Sequence, residues 1–185
     1  MILYVNACVR RNSRTDELAR YLLDILGDSY VERKLSREPL LPLSEERLEF
    51  RTKLIDSGNY SDRLFDYSKE FAAADIIVIS APFWDLSFPT LLKAYIENIY
   101  ITGIVSRYND DGTPKGLCRA KKLYYVTTAG GPYDARFSFD YIREMCVKYL
   151  GIAEVQLIKA EMLDIEGNNP TEILKKAKEE LTSAL

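Results

Sequence analysis

The sequence predicts an α/β fold in which helices cover both faces of a parallel sheet. Short apolar runs of strand length alternate along the chain with longer segments whose apolar residues recur at helical spacing. Within Asp75–Ser80 the run Ile-Ile-Val-Ile is apolar without alternation, which is typical of a strand covered on both faces. At 185 residues the chain has the length of one domain, so we expect residues 1–185 to form a single domain.

Helix and strand bounds follow from apolar spacing and from helix-ending residues. Gly27 and Gly151 each follow an apolar-periodic segment and indicate a helix end, whereas Asn169-Pro170 indicates a helix start. The segment Arg107–Gly116, rich in Asn, Asp, Gly and Pro, is predicted to be a polar turn region. The predicted strands are Met1–Asn6, Tyr30–Leu35, Asp75–Ser80, Lys122–Thr128 and Val155–Ala160, and the predicted helices are Thr15–Leu26, about 44–73 with a break at Gly58-Asn59, Pro89–Ile101, Phe139–Leu150 and Thr171–Leu185.

The composition argues against several classes of function. The chain has no histidine, which removes Ser-His-Asp and Cys-His catalysis and every histidine-containing metal site. Its three cysteines are far apart, which fits a reducing cytosol and speaks against a disulfide scaffold or a thiolate metal site. With 25 basic and 28 acidic side chains the net charge is −3, a poor balance for nucleic-acid binding. We find no signal peptide and no apolar run of membrane-spanning length, and we expect a cytoplasmic protein.

Ligands of such sheets bind at the carboxyl ends of the strands, where the strand order reverses. The loop after the first predicted strand contains no glycine, so the dinucleotide fingerprint and the Walker A loop are both absent. Arg10, Ser13, Arg14 and Thr15 stand there beside a helix N-terminus, a combination that predicts a phosphate site. A plainer interpretation stays open, in which Ser13 only caps the helix and the arginines point into water.

A second hypothesis uses the same loop. Cys8, followed after five residues by Arg14 and Thr15, fits the C-x5-R-[ST] pattern of low-molecular-weight tyrosine phosphatases, in which the thiolate attacks phosphorus. The bulky residues between Cys8 and Arg14 weaken this hypothesis, because a loop wrapped around phosphate usually needs glycine. The chain also lacks the Asp-Pro pair that supplies the general acid. A phosphatase-like enzyme using Cys8 and Arg14 remains an alternative.

Two further loops have a composition suited to contacting the faces and edges of a flat ring. Ala81–Pro89 carries three aromatic residues and two prolines, and Thr127–Tyr133 carries paired glycines that allow a ligand to approach backbone amides. The alternative for Phe83 and Trp84 is packing against the sheet edge or a partner subunit. Together the three loops predict one phosphate-binding loop and two walls for a flat ring.

Residues 81–97 read Ala-Pro-Phe-Trp-Asp-Leu-Ser-Phe-Pro-Thr-Leu-Leu-Lys-Ala-Tyr-Ile-Glu. This segment resembles the motif A-P-[MF]-[YW]-N-F-x-[IV]-P-x-x-L-K-x-[YW]-[IFL]-[DE] of the flavodoxin-like NAD(P)H:quinone oxidoreductases and FMN-dependent azoreductases. Ser13-Arg14-Thr15 and Thr128-Ala129-Gly130-Gly131 extend the resemblance over nearly the whole chain. It implies a three-layer, doubly wound flavodoxin-like fold, with a five-stranded parallel sheet in the order 2-1-3-4-5, and a homodimer.

The resemblance also implies FMN as cofactor and NADH or NADPH as electron donor. The implied reaction is a ping-pong, two-electron reduction of quinones, azo compounds or nitro aromatics, with no metal. The implied FMN-binding residues are Arg10, Ser13, Arg14 and Thr15 at the phosphate, Pro82, Phe83, Trp84, Asp85 and Leu86 along the isoalloxazine, and Thr128, Ala129, Gly130 and Gly131 at its pyrimidine end. The implied substrate-pocket residues are Tyr133 and Tyr108, the latter reaching the site from the dimer mate.

The sequence departs from the family pattern at two places. Asp85 stands where the family usually has Asn, which places a carboxylate close to the implied flavin and would lower its reduction potential. The first loop reads Ala7-Cys8-Val9 and lacks the common Ser-Pro start. A third class of function therefore stays open, a regulatory module that keeps the fold and a flavin but turns over no substrate.

Overall fold

The computed structural model describes residues 1–27 and 29–184. Within them, seven strands and six α-helices alternate largely as the sequence predicts. Observed bounds of the predicted strands and helices differ from the predicted ones by at most about two residues, except where noted below. The strands are β1 (Ile2–Asn6), β2 (Tyr30–Lys34), β3 (Ile76–Ser80), β4 (Ser106–Tyr108), β5 (Pro114–Gly116), β6 (Lys122–Thr128) and β7 (Glu154–Ala160), and the helices are α1 (Arg14–Leu26), α2 (Glu45–Asp56), α3 (Asp66–Ala73), α4 (Thr90–Ile99), α5 (Phe139–Glu144) and α6 (Pro170–Ala184).

The main sheet has five parallel strands in the order β2-β1-β3-β6-β7. Numbering these five strands along the chain gives 2-1-3-4-5, so the predicted order is confirmed. Asn6 pairs with Ser80 and Ser80 pairs with Val126, so the carboxyl ends of β1 and β3 are level and β6 extends two residues beyond them. The order reverses between β1 and β3, and the loops that follow both strands therefore open at the same edge of the sheet.

Two apolar cores, one on each face of the sheet, hold the layers together. Alternate residues of β1 divide between them: Leu3 and Val5 pack in the core formed with α3, α4 and α5, whereas Ile2 and Tyr4 pack in the core formed with α1 and α6. This division follows from the twofold period of a strand, which sends successive side chains to opposite faces. It also explains why the β3 run is apolar without alternation.

The sequence predicts a polar turn region over residues 107–116, and this prediction is wrong at both ends of the region. The residues there form two short strands that pair as a hairpin. Ser106 lies opposite Gly116 and Tyr108 opposite Pro114 in the antiparallel pair β4–β5. The turn itself is as expected: the Asp111 carboxylate accepts hydrogen bonds from the amide and hydroxyl of Thr113. Strands of three residues with polar composition carry no periodic signal, and only the tertiary structure determines their pairing.

The helix ends follow the predicted glycines. Gly27 and Gly151 have φ of 71° and 77°, the left-handed conformation that ends a helix most readily at glycine. The helix predicted over Phe139–Leu150 changes after Glu144 into one π-helical stretch, Met145–Leu150. The helical region predicted over 44–73 divides into α2, a short 3₁₀ turn and α3.

The last predicted helix is α6. Leu185, predicted as its final residue, lies outside the described residues. None of the helices in the described part of the chain combines the length and the apolarity needed to cross a bilayer.

Candidate functional site

One cavity at the carboxyl edge of the sheet unites the three loops that the sequence singles out. It lies over the ends of β1, β3 and β6, beside the point where the strand order reverses. Of the predicted cofactor contacts, the cavity includes all four phosphate residues, three residues of the aromatic loop Ala81–Pro89 (Pro82, Phe83 and Trp84), the last residue of β6 (Thr128) and, after it, Gly130. Its lining residues are Val9, Arg10, Asn12, Ser13, Arg14, Thr15, Pro82, Phe83, Trp84, Thr128, Gly130 and Asp164.

The N-terminus of α1 forms one end of this cavity. Ser13 is the N-cap, and its Oγ accepts a long hydrogen bond of 3.4 Å from the amide of Asp16. Arg14 and Thr15 occupy the first turn, where backbone amides have no intrahelical acceptor. The Thr15 Oγ1 lies 2.6 Å from Oγ1 of Thr128 and so links this end of the cavity to the last residue of β6. Ser13 thus caps the helix, and the amides and arginines beside it still suit an anion.

Two arginines of the first loop make distinct contacts. The guanidinium of Arg14 donates to Asp164 Oδ1 at 2.7 Å and to the Leu163 carbonyl at 3.3 Å, closing the cavity toward the segment that follows β7. Arg10 instead lies 5.9 Å from the centre of the Trp84 ring, in a cation–π arrangement. Asp164 is a lining residue that the sequence prediction missed, and its only signal is that it comes shortly after the last strand.

The loop after β3 turns back on itself at Asp85 and Leu86. Trp84 and Ser87 exchange backbone hydrogen bonds of 2.7 and 2.8 Å, and the two residues between them have φ of 47° and 66°. Positive φ at both central positions is the pattern of a type I′ turn, which costs a residue such as leucine about 1 kcal/mol. Asp85 and Leu86 do not line the main cavity; Asp85 lies beside Trp84 in a shallow neighbouring hollow.

Phe83 and Trp84 differ in their surroundings. Phe83 is half-buried, with its ring 4.9 Å from that of Tyr133 in an edge-to-face arrangement. Trp84 remains 37% exposed at the cavity mouth. Phe83 therefore does pack within the protein, as the alternative interpretation expects. Trp84 instead presents a large aromatic surface to any ligand in the cavity or any partner that covers it.

In the glycine-containing loop after β6, some backbone groups already have hydrogen-bond partners within the protein and others do not. Ala129 is buried, its amide donates a hydrogen bond to the Ala160 carbonyl, and its carbonyl accepts one from the Leu163 amide. The Ala129 amide is therefore not available for the implied contact with a ligand. The carbonyls of Gly130 and Gly131 accept bonds from the amides of Asp164 and Met162 at 2.8 and 3.0 Å. Among the described residues no acceptor meets the amides of these two glycines.

Tyr133, predicted as a substrate-pocket residue, does not line the cavity but packs against Phe83, which does, and polar contacts hold both its side chain and its backbone. Its hydroxyl lies 2.8 Å from the Ser138 Oγ, and its amide donates to Glu161 Oε2 at 2.7 Å. Glu161 also pairs with Lys159, whose Nζ lies 5.7 Å from the centre of the Tyr133 ring. Burial raises the pKa of the Tyr133 hydroxyl, which keeps it a neutral hydrogen-bonding group.

Tyr108 lies outside the cavity. It belongs to β4, its side chain is 58% exposed, and it is not among the lining residues. Within one subunit the structure therefore does not bring Tyr108 to the site, and its predicted role depends on a second copy of the chain.

Cys8 is buried, and this contradicts the phosphatase hypothesis. Its Sγ lies 3.5 Å from the Ser80 Oγ and does not line the cavity. Burial raises the pKa of the thiol, whereas a nucleophilic cysteine needs exposure and a lowered pKa. Within residues 1–27 and 29–184, no group of three or more cysteine and carboxylate side chains is arranged to hold a metal ion.

Comparison with known proteins places the chain in a family. The family described as having a flavodoxin-like fold matches residues 1–185. Among solved structures, an azoreductase from Bacillus anthracis str. Sterne superposes with a TM-score of 0.81 at 21% identity, over 99% of this chain and 97% of the other. An FMN-dependent NADH-azoreductase from B. anthracis str. Ames Ancestor, solved in complex with FMN, gives 0.82 at 21% identity, over 99% and 96%. At this identity the likeness shows the fold.

Closer sequence relatives cover nearly the whole chain. The FMN-dependent NADH:quinone oxidoreductase 2 of Clostridium acetobutylicum is 33% identical over 200 residues, spanning 97% of this chain and 96% of that protein. The FMN-dependent NADH:quinone oxidoreductase of Clostridium beijerinckii is 33% identical over 190 residues, spanning 95% and 93%. The resemblance seen in residues 81–97 thus extends along the chain, which belongs to the flavodoxin-like family that includes the FMN-dependent NADH:quinone oxidoreductases.

Proposed function

We propose that this protein is an FMN-dependent oxidoreductase that transfers two electrons from NADH or NADPH to quinones, azo compounds or nitro aromatics. The observation that carries the proposal is one cavity in which a helix N-terminus meets an aromatic loop and a loop with unused glycine amides. Membership of a family whose curated relatives are named FMN-dependent NADH:quinone oxidoreductases supports it.

The donor groups of the cavity fit FMN. A phosphate monoester carries close to two negative charges at neutral pH, and the first-turn amides of α1 with Arg14 and Arg10 supply positive charge at one end. At the other end the amides of Gly130 and Gly131 can donate to the pyrimidine oxygens. Trp84 supplies an aromatic surface between these two ends.

When bound, FMN supplies the hydride chemistry, and the chain supplies position and electrostatics. The amides of Gly130 and Gly131 would stabilise negative charge at the pyrimidine end of a bound flavin, whereas the Asp85 carboxylate would oppose it. Donor and acceptor bind at the same face in turn, so NAD⁺ or NADP⁺ leaves before the acceptor enters, in a ping-pong order. No side chain has to act as an obligate acid or base, in keeping with a chain that has no histidine.

The working unit in this proposal is a cytoplasmic homodimer of single-domain subunits. Trp84 stands exposed at the mouth of the cavity, and Leu86, two residues further along the same loop, is 63% exposed. Large apolar groups beside a functional cleft are typical of surfaces that a partner covers. Tyr108 of the second subunit then covers the bound ring, which accounts for an aromatic side chain exposed outside its own cavity.

A visible absorption spectrum tests the proposal. The purified protein is mixed with FMN, passed through a gel-filtration column, and reduced under anaerobic conditions with NADH or NADPH. We expect a retained flavin band that bleaches with the donor and returns when a quinone is added. Loss of the flavin on the column would contradict FMN binding, and a retained band that neither donor bleaches would favour the regulatory module.

A pair of arginine variants tests the site. Arg14→Gln removes a cation from the proposed phosphate end, and we expect the Kd for FMN to rise about tenfold, as for the loss of one charge-assisted hydrogen bond. Arg63→Gln makes the same charge change at an exposed position outside the cavity and serves as the control. Equal FMN affinity in both variants would exclude Arg14 from the phosphate site.

A further inference from the structure

A second cleft lies beside the proposed FMN cavity, between the loop after β1 and the end of β2. It encloses about 390 Å³. Five cationic side chains and two carboxylates line it, a net charge of +3, although the whole chain carries −3. A cleft that concentrates one sign of charge attracts ligands of the opposite sign.

The two carboxylates are already neutralised within the protein. Glu32 accepts two hydrogen bonds from Arg20, at 2.9 and 3.0 Å, and a third from the Asn6 amide group at 2.8 Å. Asp16 lies 3.2 Å from the Arg20 Nε and 3.8 Å from the Lys34 Nζ. These two acids and two bases form a closed network, and it contributes no net charge to the cleft.

The excess charge therefore resides on Arg10, Arg11 and Arg37. All three side chains are exposed, and none has a carboxylate within salt-bridge distance in the described part of the chain. Arg10 also lines the main cavity and lies over Trp84, so the cleft begins where the proposed flavin site ends. Three arginines gathered without a counter-charge repel one another, and an anion between them relieves that repulsion.

We propose that this cleft binds the 2′-phosphate of NADPH, so that the protein accepts NADPH as well as NADH. The inference rests on the proposed function, because the donor must place its nicotinamide at the ring beside Trp84. Its adenosine end then extends past Arg10 toward Arg11 and Arg37. Arginine is the residue that accommodates the 2′-phosphate in other doubly wound proteins, and its forked donors match a phosphate dianion.

The phosphate of FMN does not account for the cleft. Its proposed site is the N-terminus of α1, and the two cavities share only Val9 and Arg10 among their lining residues. Arg11 and Arg37 face the cleft alone and have no role in the proposed flavin site. They can therefore be changed without disturbing FMN binding.

Steady-state kinetics on the FMN-loaded protein test the assignment. Arg11→Gln and Arg37→Gln, singly and together, are compared with the wild type and with Arg63→Gln as the matched control. We expect kcat/KM for NADPH to fall about tenfold for each arginine removed, with kcat/KM for NADH and the Kd for FMN nearly unchanged. An equal loss for both donors, or no loss for NADPH, would overturn the proposal.

Calorimetry provides a readout independent of turnover. Adenosine 2′,5′-bisphosphate, 5′-AMP and inorganic phosphate are titrated into the FMN-loaded protein and into the double variant. We expect the bisphosphate to bind tightest to the wild type and to lose that advantage in the double variant. If inorganic phosphate binds as well as the bisphosphate, the cleft is a general anion site and the proposal is wrong. A protein that retains no FMN would instead refute the proposed function, and the same titrations would still test the cleft.

Discussion

A carboxylate stands at residue 85, at the tip of the turn in the middle of the aromatic loop Ala81–Pro89. Asp85 has φ of 47° and lies beside Trp84 in the hollow next to the main cavity. In the family motif this position is usually Asn, a residue that adopts left-handed conformations about as readily as Asp. The exchange therefore changes charge near the proposed flavin without changing the turn.

Replacing Asp85 with Asn should raise the midpoint potential of the bound flavin. The substitution removes a negative charge that opposes the charge gained on reduction, and an increase on the order of 30 mV corresponds to a tenfold change in the two-electron equilibrium. Spectroelectrochemical titration measures the potential. Asp110→Asn, at an exposed position in the β4–β5 hairpin, provides the control. A potential that falls, or that shifts equally in both variants, would contradict the role assigned to Asp85.

At the scale of elements, the loop after β6 owes its shape to the segment that follows β7. The carbonyls of Gly130 and Gly131 accept amide hydrogen bonds from that segment, and the Glu161 carboxylate accepts one from Tyr133. Partial burial alone would raise the pKa of Glu161, but hydrogen bonds from Lys159 and from the Tyr133 amide hold it below its usual value. The ionised carboxylate is therefore part of what holds the loop.

Because the ionised Glu161 carboxylate holds this loop, we expect the stability of the protein to depend on pH in the acidic range. Because the folded-state pKa of Glu161 lies below its unfolded value near 4.5, its contribution is present above that pH and is lost as pH falls through the lower, folded-state value. We expect Glu161→Gln to be less stable than wild type at pH 7 and to lose less stability than wild type between pH 5 and about pH 3.

Urea denaturation at a series of pH values measures both effects. Glu166→Gln, an exposed acid on the same segment, controls for the general loss of one negative charge. Parallel stability curves for Glu161→Gln and wild type would show that this carboxylate does not hold the loop. A matching loss of FMN affinity in Glu161→Gln would connect the loop to the proposed site.

For the whole molecule, three large apolar side chains stand exposed on or beside the aromatic loop: Trp84, Leu86 and Phe137. Phe137 is 49% exposed, and its carbonyl accepts a 2.8 Å hydrogen bond from Ser87, which joins the short 3₁₀ turn at 135–137 to the aromatic loop. Trp84 and Leu86 belong to the same loop and are also exposed. In the proposed homodimer the second subunit covers this surface.

Phe137→Lys should weaken the dimer. A lysine must lose hydration to enter an apolar interface, so we expect the dimer dissociation constant to rise at least about tenfold. Sedimentation velocity over a range of concentrations measures it. Val31→Lys, at an exposed apolar position on the opposite edge strand β2, is the matched control. A wild-type protein that is monomeric at all concentrations, or equal dimers in both variants, would refute this surface as the interface.

Much of the site could be predicted from local patterns. The Ser13 cap, the Gly27 stop and the unbroken apolar run of β3 each have a local physical cause, and the structure contains all three. Parallel strands place their carboxyl ends at one edge, so the loops after β1, β3 and β6 could be expected to meet. Contacts with Asp164 and Glu161 could not, because nothing local relates residues after β7 to those after β6.

The sequence by itself determined the order of the sheet strands and their helices, the covered sheet and, through residues 81–97, the family. Only the tertiary structure decided which of those residues are free to bind. It buried Cys8, occupied the Ala129 amide, left Tyr108 outside its own cavity, and paired polar strands into a hairpin. Periodicity and motifs report the local chain, whereas solvent exposure and hydrogen-bond partners depend on residues far away in sequence, which only folding brings together.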